Sequence, residues 1–207
     1  MATRRKLHPC TQYAIDVVSG KRITGRLERL ACERHLTDLD RQGSKNFPWI
    51  FSEEKANRIY EWFRYCKHLE GPLAGEPIEL QPFQMFDLGC VFGWVHKDTG
   101  FRRFKKGFIE EARKNGKSIT MSGVALYLMC GDGEESPQVY CTAVDKKQAR
   151  IVYKAAKNMA EKSPDIRKRL RIRNYEISHI TRNGELSPFS RETKNKDGFN
   201  PSGVIID

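Results

Sequence analysis

The tripeptide Gly116-Lys117-Ser118 stands between two runs of different character. Residues 103–110 (RFKKGFIE), with their aromatic and β-branched positions, read as a strand; 118–129 (SITMSGVALYLM) reads as an apolar helix. In that setting the first N–H groups of the helix, together with its dipole, favour a bound phosphate. The lysine would reach the terminal phosphates of a nucleoside triphosphate, and the serine hydroxyl would ligate magnesium. By itself a Gly-Lys-Ser/Thr tripeptide turns up by chance in roughly one such chain in ten. Glu111 also stands where the full loop pattern has its first glycine. Two features add weight. Val204-Ile205-Ile206-Asp207 reads as an apolar strand ending in a carboxylate, the arrangement that helps hold magnesium beside a phosphate loop. Arg113 and Lys114 inside the loop would neutralise charge on the triphosphate, or on the plainer reading stay solvated.

The elements that must position these residues follow from periodicity. After the loop helix, 138–144 (QVYCTAV) reads as a buried strand and 146–161 as an amphipathic helix. Strand, helix, strand, helix is the rhythm of a parallel sheet with crossover helices. Residues 171–189 read as two short strands with a turn at Asn183-Gly184. Upstream the chain reads as helical. A short stripe at Tyr13, Val17 and Val18 ends at Gly20, and a second helix over 25–39 has Leu27, Leu30, Ala31, Arg34 and His35 at helical spacing. A third starts near Ser52 and repeats at Ile59, Trp62, Phe63 and Cys66. The Gly- and Pro-rich stretch 71–80 (GPLAGEPIEL) is the best boundary, and after Pro82 a further helix is expected over 83–95. The expectation is an α/β protein: a helical subdomain at 1–80, and at 81–207 a core with a mostly parallel sheet.

The 207 residues are 39% hydrophobic and 30% charged, the composition of a soluble globular protein. No apolar run nears the roughly 20 residues that span a bilayer. The basic start (Arg4, Arg5, Lys6) lacks the apolar stretch of a secretory signal. Six cysteines without a C-x-x-C pair read as buried, reduced thiols, and the scattered histidines offer no paired metal-ligand spacing. The net charge of +11 admits a polyanionic partner. Its one dense block, 162–173 (KSPDIRKRLRIR), fits a nucleic-acid contact or a solvated basic surface equally.

A loop of the form Ala112-Arg113-Lys114-Asn115-Gly116-Lys117-Ser118 resembles the deviant phosphate loop of tailed-phage terminase large subunits. Other segments agree in order: Leu80-Gln81-Pro82-Phe83-Gln84 is similar to the adenine-side motif, and Thr142-Ala143-Val144-Asp145 with Gln148-Ala149 to the segment after the second strand. Residues 197–202 (DGFNPS) resemble the lead-in to the magnesium-binding strand, and 32–36 (CERHL) with Asp38-Leu39 the start of the group's sequences. The resemblance implies a P-loop ATPase that drives double-stranded DNA into a preformed capsid. It implies that Lys117 grips the phosphates, Ser118 and Asp207 hold Mg, and Arg113 senses or stabilises the terminal phosphate. Lys114, Asn115 and Gly116 would complete the ATP site, with Gln84, or alternatively Gln81, on the adenine. It further implies the small terminase subunit, the portal protein and other copies in a ring as partners, with no membrane, in the cytoplasm of an infected or prophage-carrying bacterium.

The family places a glutamate directly after the aspartate, and a nuclease domain further on; neither occurs in the sequence up to Asp207. Little or no hydrolysis by this segment alone, and no nuclease activity, are therefore expected. Two other readings stand beside this one. A helicase-like ATPase would usually keep the first loop glycine. A non-catalytic basic DNA-binding or motor-subunit interaction module would ignore ATP.

Overall fold

The computed structural model describes residues 7–112, 115–143, 146–189 and 200–206, with the backbone alone at 146–149. The chain forms two compact units, Met1–Tyr60 with Leu80–Ile109, and Glu61–Glu79 with Glu110–Asp207. Their limits do not follow a single cut near residue 80: the Gly/Pro-rich stretch packs with the second unit and the helix after Pro82 with the first. Among the described residues no helix is long and apolar enough to cross a membrane.

In the first unit α1 (Pro9–Val18) starts on a proline, and the His8 side chain accepts from the Cys10 N–H to cap it. It packs against α2 (Arg26–Arg41) and the later α4 (Pro82–Gly93). A small antiparallel ribbon of β1 (Trp49–Phe51) and β2 (Trp94–His96) completes the unit. The buried face of α2 is Cys32, His35 and Asp38, whereas Leu27 and Leu30 are 70% and 48% exposed. Leucine hydrophobicity at helical spacing is overridden here because the polar residues find partners inside. Trp94 donates to His35, and Asp38 pairs with Arg103.

That pairing also explains why 103–110 is not a strand. The Arg103 guanidinium lies over the Phe47 ring at 4.7 Å and the Phe104 ring at 4.9 Å, which anchors the segment to the first unit. The residues that follow have no strand to bond with among the described residues, and Phe108 is 84% exposed. A strand is a property of a pair, and after Arg103, whose N–H donates to the Trp94 carbonyl at 2.9 Å, the run pairs with nothing among the described residues.

α3 (Glu53–Tyr65) runs through the chain boundary between the units, and its last residues belong to the second. There α5 (Lys117–Cys130) is apolar all round and buried from Thr120 to Cys130 apart from Met121, as a helix without a polar face must be. Gly123 lets it approach closely: a Cβ there would sit 2.5 Å from the Phe63 ring, and Trp62 donates to the Gly123 carbonyl at 2.9 Å. The fully buried Phe63 side chain contributes about 2 kcal/mol to holding this arrangement. The Ser122 hydroxyl lies 2.7 Å from the Ser118 carbonyl and 3.1 Å from that of Val152, which satisfies a fully buried polar atom. Val152 sits on α6 (Lys146–Lys162), which is followed by the short α7 (Pro164–Arg167).

The helices cover a five-stranded sheet in the order β4 (Leu170–Ile172), β5 (Ile177–His179), β6 (Glu185–Phe189), β3 (Gln138–Thr142), β7 (Gly203–Ile206). β3 is parallel to both β6 and β7, while β4–β5 and β5–β6 are antiparallel. The sheet is therefore mixed, a correction to the mostly parallel expectation. Tight turns decide it. Residues 171–189 lie across three strands rather than two, and segments joined by a few residues can pair only antiparallel. The turn at Asn183-Gly184 joins β5 to β6 as expected, with Asn183 at φ +53°.

Candidate phosphate-binding site

At the start of α5, Gly116 occupies the N-cap with φ +81° and ψ +10°, a left-handed conformation that favours glycine. Among the described residues no heavy atom lies within 4 Å of where its Cβ would be, so backbone conformation rather than crowding calls for glycine. Among the described residues no side chain caps the helix. Lys117 and Ser118 are its first two residues and are half-buried; Asn115 and Gly116 are exposed. The helix is committed early, since the Thr120 N–H already donates to the Gly116 carbonyl at 2.9 Å. Upstream, one buried carboxylate oxygen of Glu111 has no hydrogen-bond partner among the described residues. Arg113, Lys114 and Asp207 lie outside the described residues. β7 runs parallel beside β3, with Ile206 opposite Thr142, and α5 packs on both strands.

Gln81 and Gln84 belong to the first unit, whereas the loop belongs to the second. They form a capping box at the start of α4. The Gln84 carboxamide oxygen accepts from the Gln81 N–H at 2.9 Å, and the Gln81 side chain accepts from the backbone of residue 84. Both side chains expected as alternatives for the adenine contact are thus engaged at a helix end.

A second polar cluster was invisible in sequence spacing. Cys10, His35 and Cys90 come from three helices, and their ligand-type atoms lie within 4.8 Å of one another. The two Sγ atoms are 3.6 Å apart, and Cys90 Sγ is 3.6 Å from His35 Nδ1. Burial pushes the Cys90 thiol well above its ordinary range and pulls the His35 imidazole down to about 4. The indole N–H of Trp94 donates to His35 Nδ1 at 3.0 Å. That bond leaves the ring proton on Nε2, 3.2 Å from the Thr11 hydroxyl. Cys10 in turn donates to the Phe86 carbonyl at 3.7 Å. With Nδ1 already accepting, the cluster is a neutral hydrogen-bonded core. All six cysteines are buried free thiols.

Residues 82–207 match the family described as the terminase large subunit, ATPase domain. The chain is 30% identical over 156 residues to the terminase large subunit of Enterobacteria phage HK97, covering 70% of this chain and 28% of that protein. The crystal structure of the HK97 bacteriophage large terminase superposes with a TM-score of 0.62 at 24% identity, over 74% of this chain and 31% of the other. The likeness in structure supports the fold, and the chain spans under a third of the length of these relatives.

Proposed function

Because the chain belongs to the family of terminase large-subunit ATPase domains, we propose that it is the nucleotide-binding part of a viral DNA-packaging motor, with residues 111–118 as its phosphate loop. The observation that carries this is the start of α5. A left-handed glycine and an uncapped helix end stand directly before Lys117 and Ser118, the conditions under which backbone N–H groups receive an anion. In this reading Lys117 binds the β- and γ-phosphates, Asn115 and Gly116 shape the cradle, and Arg113 and Lys114 neutralise the terminal phosphate. Gln84, or Gln81, contacts adenine.

The donor set fits magnesium, which takes hard oxygen ligands and few protein groups. Ser118 would offer a hydroxyl and Asp207 a carboxylate. When bound, the ion neutralises charge spread over the phosphate oxygens. The chain's own residues bind and orient the triphosphate. Double-stranded DNA, the small terminase subunit, the portal and further copies of the chain are the proposed partners, in the cytoplasm of the infected host.

Calorimetry with Mg-ATP tests the reading. Saturable binding that Lys117→Ala abolishes supports it. Equal binding in both proteins, or none in either, overturns it and leaves the non-catalytic basic module, for which the net charge of +11 is the favouring observation.

A further inference from the structure

Residues 146–182 hold twelve Lys and Arg against three Asp and Glu, a net +9 of the chain's +11. The fold gathers part of this charge on one surface of the second unit. Along α6, Arg150, Lys154 and Lys157 follow at helical spacing, so that they share a face. The turn between β4 and β5 is fastened to that helix. Tyr153 donates to the Arg173 carbonyl at 3.2 Å, and Lys157 donates to the Asn174 side chain at 3.3 Å. The Arg150 guanidinium sits 5.2 Å from the centre of the Tyr175 ring.

Three features distinguish this surface from an ordinary solvated one. Arg150 and Lys154 are exposed and Lys157 is half-buried, and no carboxylate lies within ion-pair distance of them among the described residues. Of the three acids of the segment, Asp165 pairs with Lys168, Glu176 lies 3.7 Å from Arg173, and Glu161 stands exposed at the last turn of α6. Tyr175, at the tip of the turn, is 62% exposed although an aromatic ring gains by being covered. Uncompensated cations around an exposed ring suit a sugar–phosphate backbone, where phosphates meet the cations and the ring packs on sugar.

We propose that α6 and the β4–β5 turn form a surface that grips the backbone phosphates of duplex DNA without reading base sequence. The inference rests on the DNA-moving role proposed above and adds to it the place of contact. No base-reading element is built here, so affinity comes from charge neutralisation and counterion release.

The test measures binding of labelled duplexes of two unrelated sequences by fluorescence anisotropy across a salt series. The full chain is compared with a triple Arg150→Ala, Lys154→Ala, Lys157→Ala variant. A control, Arg26→Ala, Arg58→Ala, Arg64→Ala, removes the same charge from exposed positions elsewhere. The triple variant is expected to lower the log K against log salt slope by about 3 and the affinity by more than tenfold for both sequences. The control keeps most of the affinity, and Tyr175→Ala alone costs a few-fold. Equal loss in the triple and the control overturns the proposal, because net charge alone would then explain binding. No loss in the triple, or a preference for single strands that depends on Tyr175, overturns it too. Mg-ATP binding, measured in the same proteins, separates the two claims. A chain that ignores ATP but loses DNA in the triple variant defeats the ATPase reading and spares the surface.

Discussion

Two helix starts in this chain share an outward plan and differ in what they do with it. At α4 the side chains of Gln81 and Gln84 fold back on each other's backbone, so the helix end is closed by the protein itself. At α5 a glycine at φ +81° replaces the capping side chain, and among the described residues no side chain closes the end. The first arrangement spends its polar groups on stability. The second leaves the positive end of a rigid, buried helix to whatever anion arrives. The contrast extends to the units around them. The polar interior of the first unit, Cys10, His35, Cys90 and Trp94, is internally partnered, whereas the loop of the second is proposed to take its partner from outside the chain.

Acid should break the contrast most strongly, by attacking the partnered side. His35 has a folded-state pKa of about 4, below the 6.5 of the unfolded chain. The unfolded state therefore binds more protons between these values. The stability due to neutral His35 is fully present above pH 6.5 and is lost as pH falls toward 4. The expected loss is about 3 kcal/mol, read from thermal unfolding against pH; His8, whose pKa burial also lowers, acts in the same sense. A midpoint unchanged between pH 7 and 5 would show that the imidazole is not held neutral.

Lys117→Ala should act on the other side alone. A hundredfold loss of Mg-ATP affinity, equivalent to about 2.7 kcal/mol, is expected with the melting temperature of the unliganded protein unchanged. A lysine that proved structural would move both.

Gly116→Ala comes next. The left-handed backbone should cost about 1–2 kcal/mol for a residue with a Cβ, with no steric clash to add. Several-fold weaker nucleotide binding is expected, and unaltered binding would argue that this turn does not cradle the phosphates.

Gln84→Ala gives the smallest change and the sharpest one. Loss of the capping box should cost about 1 kcal/mol in chemical denaturation. If Gln84 also contacts adenine, the preference for ATP over GTP falls as well. A retained preference would reduce Gln84 to its part in the cap.

The candidate site was legible as a candidate because its proposed chemistry is local. Glycine, lysine and a hydroxyl at consecutive positions, opening an apolar helix, need no distant residue to announce them. The helices α1, α3, α5 and α6 were legible for a similar reason, since periodic burial is written into successive residues. The strand expected at 103–110 failed because Arg103 has a better use for itself against Asp38 and the rings of Phe47 and Phe104. Nothing in the run itself records that competitor. The same holds for α2, where His35 and Asp38 outrank Leu27 and Leu30 for the interior once Trp94 and Arg103 are in place.

The amino-acid sequence by itself determined the α/β character, the family and the candidate loop residues, because each rests on neighbours a few positions apart. Only the tertiary structure decided which strands pair and in which direction. It alone brought Cys10, His35 and Cys90 together, and set Arg150 over Tyr175 beside an exposed basic face. Pairing partners and buried polar contacts are chosen by competition among residues far apart in the chain, and a linear pattern carries no record of which competitor wins.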